Sequence, residues 1–267
     1  MCPSRECGAG EGMQEMIIAS ILLICFMSQS PATPEGEFDP GLKLSGLAAD
    51  SLLSSAEGRF GIMGLNLTDR TSFVKSEGGF FVCDGFPLMP VACAVCHRAL
   101  PLGFMMGFAP DSLITAAWQG NGEAAQVLAD RIGRERIEAW LAACDILGTT
   151  LTDTDGSCIS YVSTPWDCMM MLAWMDRMLP ASGIEGLGAP TLDMMGIDCT
   201  EACTGALGLA HWDGESVRAV FSARMDGGRY LGITMLADSM PSRDEAVYSF
   251  GELVERLVTG DLPCQGM

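Results

Sequence analysis

Residues 206–258 constrain the fold more tightly than any other stretch of this chain. Three apolar runs, 206–212, 216–224 and 229–236, are separated by Asp213-Gly214 and by Asp226-Gly227-Gly228. Asp-Gly and Gly-Gly accept the positive φ angles that tight hairpins demand, so the three runs read as an antiparallel meander. Residues 243–258 follow as an amphipathic helix, with Val247, Phe250, Leu253, Val254 and Leu257 on one face.

The first half supplies a matching pair of strands. Leu44, Leu47, Ala48, Leu52 and Leu53 recur at helical spacing up to about Ala56. Residues 60–67 and 71–75 then form two short strands joined around Thr68-Asp69-Arg70. Helices are expected over 91–100, 111–118, 123–131 and 134–145, with Asp111 as a cap and Gly133 marking the join between the last two. Residues 151–162 are polar and irregular. Thr164-Pro165 opens a strongly apolar helix to Leu179, the threonine capping and the proline in the first turn. Residues 180–202 read as a loop. Two strands early, three late and helices between predict an α+β fold, a five-stranded antiparallel sheet. Terminal helices cover one of its faces, and the middle helices form an inserted lobe. A single domain is expected over 44–267, its sheet lobe at 44–80 and 203–258 and its helical lobe at 81–202.

Ahead of it, residues 31–41 hold three prolines and three acidic residues and read as a linker. Residues 16–27 are an uncharged run of twelve, too short to span a bilayer and suited to the core of a secretory signal. Ser30-Pro31-Ala32 offers small residues for cleavage before Thr33. Against export, Arg5 is outnumbered by Glu6, Glu11 and Glu15. A periplasmic or secreted protein is expected, with the cytoplasm as the alternative. Cys25 is a poor lipid attachment point because bulky Ile24 precedes it.

The net charge is −19, with 34 acidic and 15 basic residues. Phosphate binding needs basic clusters, and the sequence has none, so nucleic acid is excluded as a partner. An anionic membrane surface would repel the chain as well. The 12 cysteines are read as mostly reduced and buried, since Cys93, Cys144 and Cys168 fall inside apolar helical patterns.

The order of elements, together with particular residues, resembles the class A β-lactamases and their penicillin-binding relatives. Residues 126–148, from Gln126 to Gly148, look like that family's paired helices behind the active-site loop. Ser163-Thr164-Pro165 before a long apolar helix is similar too, as is Thr204-Gly205 entering the late meander. The resemblance spans about Leu44 to Val258. It implies a serine nucleophile just after residues 80–83, which read Phe-Phe-Val-Cys, and a lysine one helical turn further on to take its proton. It also implies a Ser-Asp-Asn element across the cleft, a Lys-Thr-Gly strand and a loop glutamate. Here the serine place is Asp84 and the lysine place Pro87. The Ser-Asp-Asn place is best matched by Gly120-Asn121-Gly122, and the Lys-Thr-Gly place by Cys203-Thr204-Gly205. The only acidic residues of the loop are Asp153 and Asp155. Members of such a triad act as a unit, so a chain lacking several of them is expected to be a non-catalytic relative. Its implied role is binding a peptidoglycan- or β-lactam-type small molecule, or scaffolding, with no cofactor and no metal. An active serine β-lactamase or D-Ala-D-Ala peptidase whose motifs lie elsewhere is the alternative. Asp84 as a carboxylate nucleophile lacks a visible activating partner, and alternation points Cys83 away from the side that residue 84 faces.

Three further patterns stand apart from the resemblance. Cys93-Ala94-Val95-Cys96-His97 matches the covalent c-type haem signature, with Met105 or Met106 as second axial ligand. Its competing reading is a buried helix. Cys168-Met169-Met170-Met171, with Met175 and Met178, suggests Cu(I), but consecutive helical residues point to different faces, which favours core packing. Asp153, Asp155 and Gly156 have calcium-like spacing without the distal glutamate of a calcium loop. His211, beside Trp212 in a strand, reads as structural or solvent-facing.

Overall fold

The fold is that of a computed structural model, which describes residues 39–55, 58–76, 79–99, 110–152, 160–189, 203–225 and 228–260. Cys25 and the secretory-type segment, Met105, Met106, Asp153, Asp155 and Gly156 lie outside the described residues. Helix α1 spans Pro40–Ser55, followed by strands β1 (Arg59–Asn66), β2 (Thr71–Ser76) and β3 (Phe81–Val82). Four helices follow: α2 (Leu88–Ala99), α3 (Asp111–Trp118), α4 (Gly122–Ile132) and α5 (Arg134–Ala143). Short strands β4 (Thr150–Leu151) and β5 (Tyr161–Ser163) lead into α6 (Pro165–Ser182). Strands β6 (Cys203–Trp212), β7 (Val217–Met225) and β8 (Tyr230–Asp238), then helix α7 (Arg243–Thr259), complete the order.

The main sheet has five antiparallel strands in the order β2-β1-β8-β7-β6. The early hairpin therefore docks on the last strand of the meander, with Met63 opposite Thr234 and Arg59 opposite Asp238. Helices α1 and α7 cover one face through Leu42, Ala49, Phe250, Leu253 and Leu257, which meet Phe60, Phe221, Ile233 and Met235. The opposite face sends Leu207, Leu209, Val220 and Leu236 into the core of α2 to α6. Both faces being covered, β7 and β8 are buried almost throughout, which explains their near-continuous apolar runs.

Helix α6 carries much of the second core. Its four consecutive sulfur side chains diverge: Met169 packs with Met63 and Leu65 beneath the sheet, whereas Cys168, Met170 and Met171 join the helical core. The thioethers are thus spread over two clusters instead of converging on one ion. Thr164 caps this helix, its Oγ1 accepting from the Asp167 amide at 3.1 Å.

Several boundaries differ from those expected. Helix α1 starts at Pro40, inside the expected linker, because Asp39 caps it: Oδ1 accepts from the Leu42 amide at 3.2 Å. Asp111 is not a cap; Pro110 holds that position without a side-chain bond, and Asp111 pairs with Arg98 of α2. The polar stretch after α5 is not wholly irregular. Its ends form a second, three-stranded sheet in the order β3-β5-β4.

Helices α1 and α7 touch at a point where only hydrogen fits. A methyl group built on Gly41 would run into the Leu257 carbonyl oxygen, a backbone atom that cannot swing aside. Overpacking of this kind costs about 1–3 kcal/mol, against a helix-propensity gain of at most about 1 kcal/mol. Gly41→Ala should therefore lower stability in urea unfolding, with a shifted midpoint at unchanged slope.

Candidate active-site region

Strand β3 runs directly into a turn, Cys83-Asp84-Gly85-Phe86, and then into α2. Gly85 takes φ +67°, a conformation that favours glycine. Alternation holds through the turn: Phe81 and Cys83 are buried, while Phe80, Val82 and Asp84 are exposed. Pro87 is buried at the start of α2, its carbonyl accepting from the Val91 amide at 3.1 Å. A proline there supplies helix geometry and no titratable nitrogen.

Asp84 is held by a chain of hydroxyls. Thr152 Oγ1 donates to Ser160 Oγ at 2.6 Å, and Ser160 Oγ donates to Asp84 Oδ1 in a short hydrogen bond. Ser160 is itself buried, just ahead of β5. The Thr152 amide also donates to the Ser160 carbonyl at 3.1 Å, so the small sheet fixes the relay. Ser160 was invisible to motif reasoning, because it has no spacing relation to residue 84; only the β3–β5 pairing, Val82 with Val162, brings them together.

On the other side of the turn stands His211. Its Nε2 lies 3.4 Å from the position a Cβ would take on Gly85. Burial lowers its pKa; Asp213 acts in the opposite direction and Arg218 in the same one. His211 faces Arg218 across the β6–β7 ladder, near the Asp213-Gly214 hairpin. Cys203-Thr204-Gly205 lies at the other end of β6, with Cys203 opposite Met225. Gly205 and His211 lie six positions apart, roughly 20 Å of strand. Of this strand, His211 is the residue placed against the Asp84 turn, whereas Trp212 packs on the α1–α7 side of the sheet. Register, not the Thr-Gly pair, decides which end of the strand faces the site.

Gly120, Asn121 and Gly122 form the exposed junction of α3 and α4. Asn121 Oδ1 accepts from the Ala124 amide at 2.9 Å, so that acceptor serves as a helix cap. The thiol of Cys83 is wholly buried; burial above all, and the adjacent Cys168, push its pKa up, which suppresses a nucleophilic thiolate. Cys93 and Cys96 are buried in α2, and burial raises the Cys96 pKa to about 12. Neither thiol offers surface on which a porphyrin could be attached, so the haem signature reads as core-facing helix residues. His97, beside them, has its pKa lowered by burial and by Arg136.

One residue missed from sequence positions the turn. Arg218, 3% exposed, donates from Nε to the Val82 carbonyl at 2.6 Å. Its Nη1 donates to the Val217 and Ala237 carbonyls, and its Nη2 meets Asp238 Oδ1 at 2.5 Å. The only sequence signal is a charge inside the apolar run Val217-Arg218-Ala219-Val220-Phe221.

A β-lactamase from Sphaerobacter thermophilus DSM 20745 superposes with TM-score 0.60 at 13% identity, covering 80% of this chain and 95% of that one. The class A β-lactamase from Mycobacterium abscessus gives 0.58 at 12%, covering 82% and 100%. L2, solved in complex with relebactam, gives 0.60 at 13%, covering 82% and 99%. No family model matches the sequence, and no curated protein is significantly similar to it. The chain thus has the class A β-lactamase fold, at an identity where the fold alone is established.

The His211 environment yields a pH prediction. The unfolded chain takes a proton near pH 6.5, whereas folded His211 resists it, so stability is lost as pH falls below about 6.5. His97 acts in the same direction. His211→Gln should flatten, without abolishing, the fall in unfolding free energy between pH 7.5 and 5, measured by urea titration at each pH.

Proposed function

We propose that this chain is a non-catalytic relative of the β-lactamases that keeps the Asp84 turn as a site for a small ligand. The observation that carries this reading is the identity and engagement of residue 84. At the strand–turn–helix junction where the resemblance implies a nucleophilic serine stands a carboxylate bonded to Ser160. Pro87, one turn on, has no amine to accept a proton. His211, the basic residue beside the turn, is disfavoured as a cation by burial, so it is a weak substitute for a permanent charge. A peptidoglycan- or β-lactam-type molecule is the ligand class suggested by the fold; L2, with the same fold, was solved with relebactam bound. We further propose a periplasmic or secreted location, from the apolar segment at residues 16–27. No helix among the described residues is long and apolar enough to cross a membrane.

A second reading is favoured by one specific contact. Ser160 donates to Asp84, which pairs a hydroxyl with a potential general base inside the site. A working hydrolase would then use Ser160 as nucleophile. Its burial opposes in-line attack by a bulky acyl donor.

Nitrocefin turnover and covalent labelling by a fluorescent penicillin separate the two. The wild type is expected to show background turnover and no label, as are Asp84→Ser and Asp84→Ser combined with Pro87→Lys, since the remaining groups are absent. Robust wild-type turnover abolished by Ser160→Ala would establish the hydrolase instead.

A further inference from the structure

We propose that the Asp84 turn and the strip of sheet beside it bind a small molecule carrying an ammonium group on an apolar body. This deepens, and rests on, the reading of the turn as a non-catalytic ligand site. The strip is the outer face of the three-stranded sheet. Phe80 is 57% exposed and Val82 46%, both pointing to the same side by alternation. Val82 pairs with half-buried Val162, which pairs in turn with exposed Thr150. Phe80, just ahead of β3, and Val82 thus form a small exposed apolar patch on one face.

The strip ends at a charge. Asp84 is exposed at its head, and the Thr152–Ser160 relay fixes the orientation of its carboxylate. A carboxylate offers about four lone-pair directions, and Ser160 uses one. Among the described residues of 79–89, 150–152 and 160–164, Asp84 is the only acidic or basic side chain. The cations that touch this region are committed elsewhere, Arg59 among them through Asp238. Arg218 is buried and bonded to three carbonyls and Asp238. Arg134, which donates to the Leu151 carbonyl, is paired with Glu138 at 2.8 Å. A carboxylate-bearing ligand would therefore meet like charge, with only His211 beside the turn and burial disfavouring its cationic form, whereas an ammonium would complete the carboxylate's hydrogen bonding. The net charge of −19 adds a general attraction for cations.

The test is an NMR titration of ¹⁵N-labelled protein with two probes of the same aromatic body. L-Phenylalanine amide carries an ammonium and no carboxylate; N-acetyl-L-phenylalanine carries the reverse. The amide should shift resonances of residues 80–85 and 160–162 saturably, the acetyl compound should not, and Asp84→Asn should weaken the amide about tenfold. The variant's remaining resonances serve as the check that it stays folded. Equal shifts with both probes, or an unaffected Asp84→Asn, overturn the cation assignment and leave the ligand-site reading standing. No shift with either probe overturns both. Penicillin acylation of the wild type overturns only the claim that the site is non-catalytic.

Discussion

Arg218 is the joint between the two sheets, and the position of the turn depends on it. Its guanidinium reaches from the middle of the meander to the Val82 carbonyl of β3, and back to Ala237 and Asp238 of β8. Arg59 closes the same cluster, 2.5 Å from the other oxygen of Asp238. The Phe81 ring lies against both guanidinium groups, at 4.6 Å from Arg59 and 5.7 Å from Arg218. Burial alone would raise the Asp238 pKa, but the hydrogen bonds and charges of Arg218 and Arg59 outweigh it and bring it below its ordinary value. Removing Asp238 would leave the buried Arg218 without its carboxylate; breaking a fully buried pair costs about 3–5 kcal/mol, and the quarter exposure of Asp238 places this one below that. By contrast, exposed pairs such as Lys75–Asp50 contribute about 0–1 kcal/mol. The buried Arg218 and its partners, not the surface ion pairs, tie β3 to the main sheet.

That joint also explains how a two-residue strand can hold a turn in place. β3 contributes two ladder pairs to β5, too few for a stable sheet on their own. What it lacks in ladder bonds it receives from Arg218 on one side and from the core contacts of Phe81, Cys83 and Phe86 on the other. Asp84 then sits between two anchored neighbours, and the hydroxyl relay needs only to orient its carboxylate.

Legibility in the sequence follows element length. The meander and α7 were readable because Asp-Gly and Gly-Gly turns bracket runs of nine or ten residues, and the docking of β1 on β8 followed from the resemblance. The small sheet was not readable: Phe81-Val82 and Thr150-Leu151 each span only a single period of alternation. Asp84 and Pro87 were located because they follow β3 directly. His211 and Ser160 were not, because their approach to the turn is set by strand register and by pairing between residues 76 positions apart in sequence. Cys203-Thr204-Gly205 lies where β6 pairs with Met225 and Arg224, a placement that local pattern alone does not decide.

Fold and site are separable here because they draw on different residues. A match of 0.60 at 13% identity is physically reasonable when cores tolerate exchange among apolar residues of similar volume. Gly120, Asn121, Gly122 and Asp84 are all exposed and lie outside both apolar cores, so exchanging them leaves core packing untouched. Core packing therefore exerts little hold on which side chains line the turn. Pro87 even suits its place at the head of α2, where an amide hydrogen would have no helical partner. The frame can persist while its chemistry changes, provided that the buried joint at Arg218 and the two apolar cores are kept. What the turn now presents to solvent is then set by its own exposed groups: one oriented carboxylate beside an apolar strand.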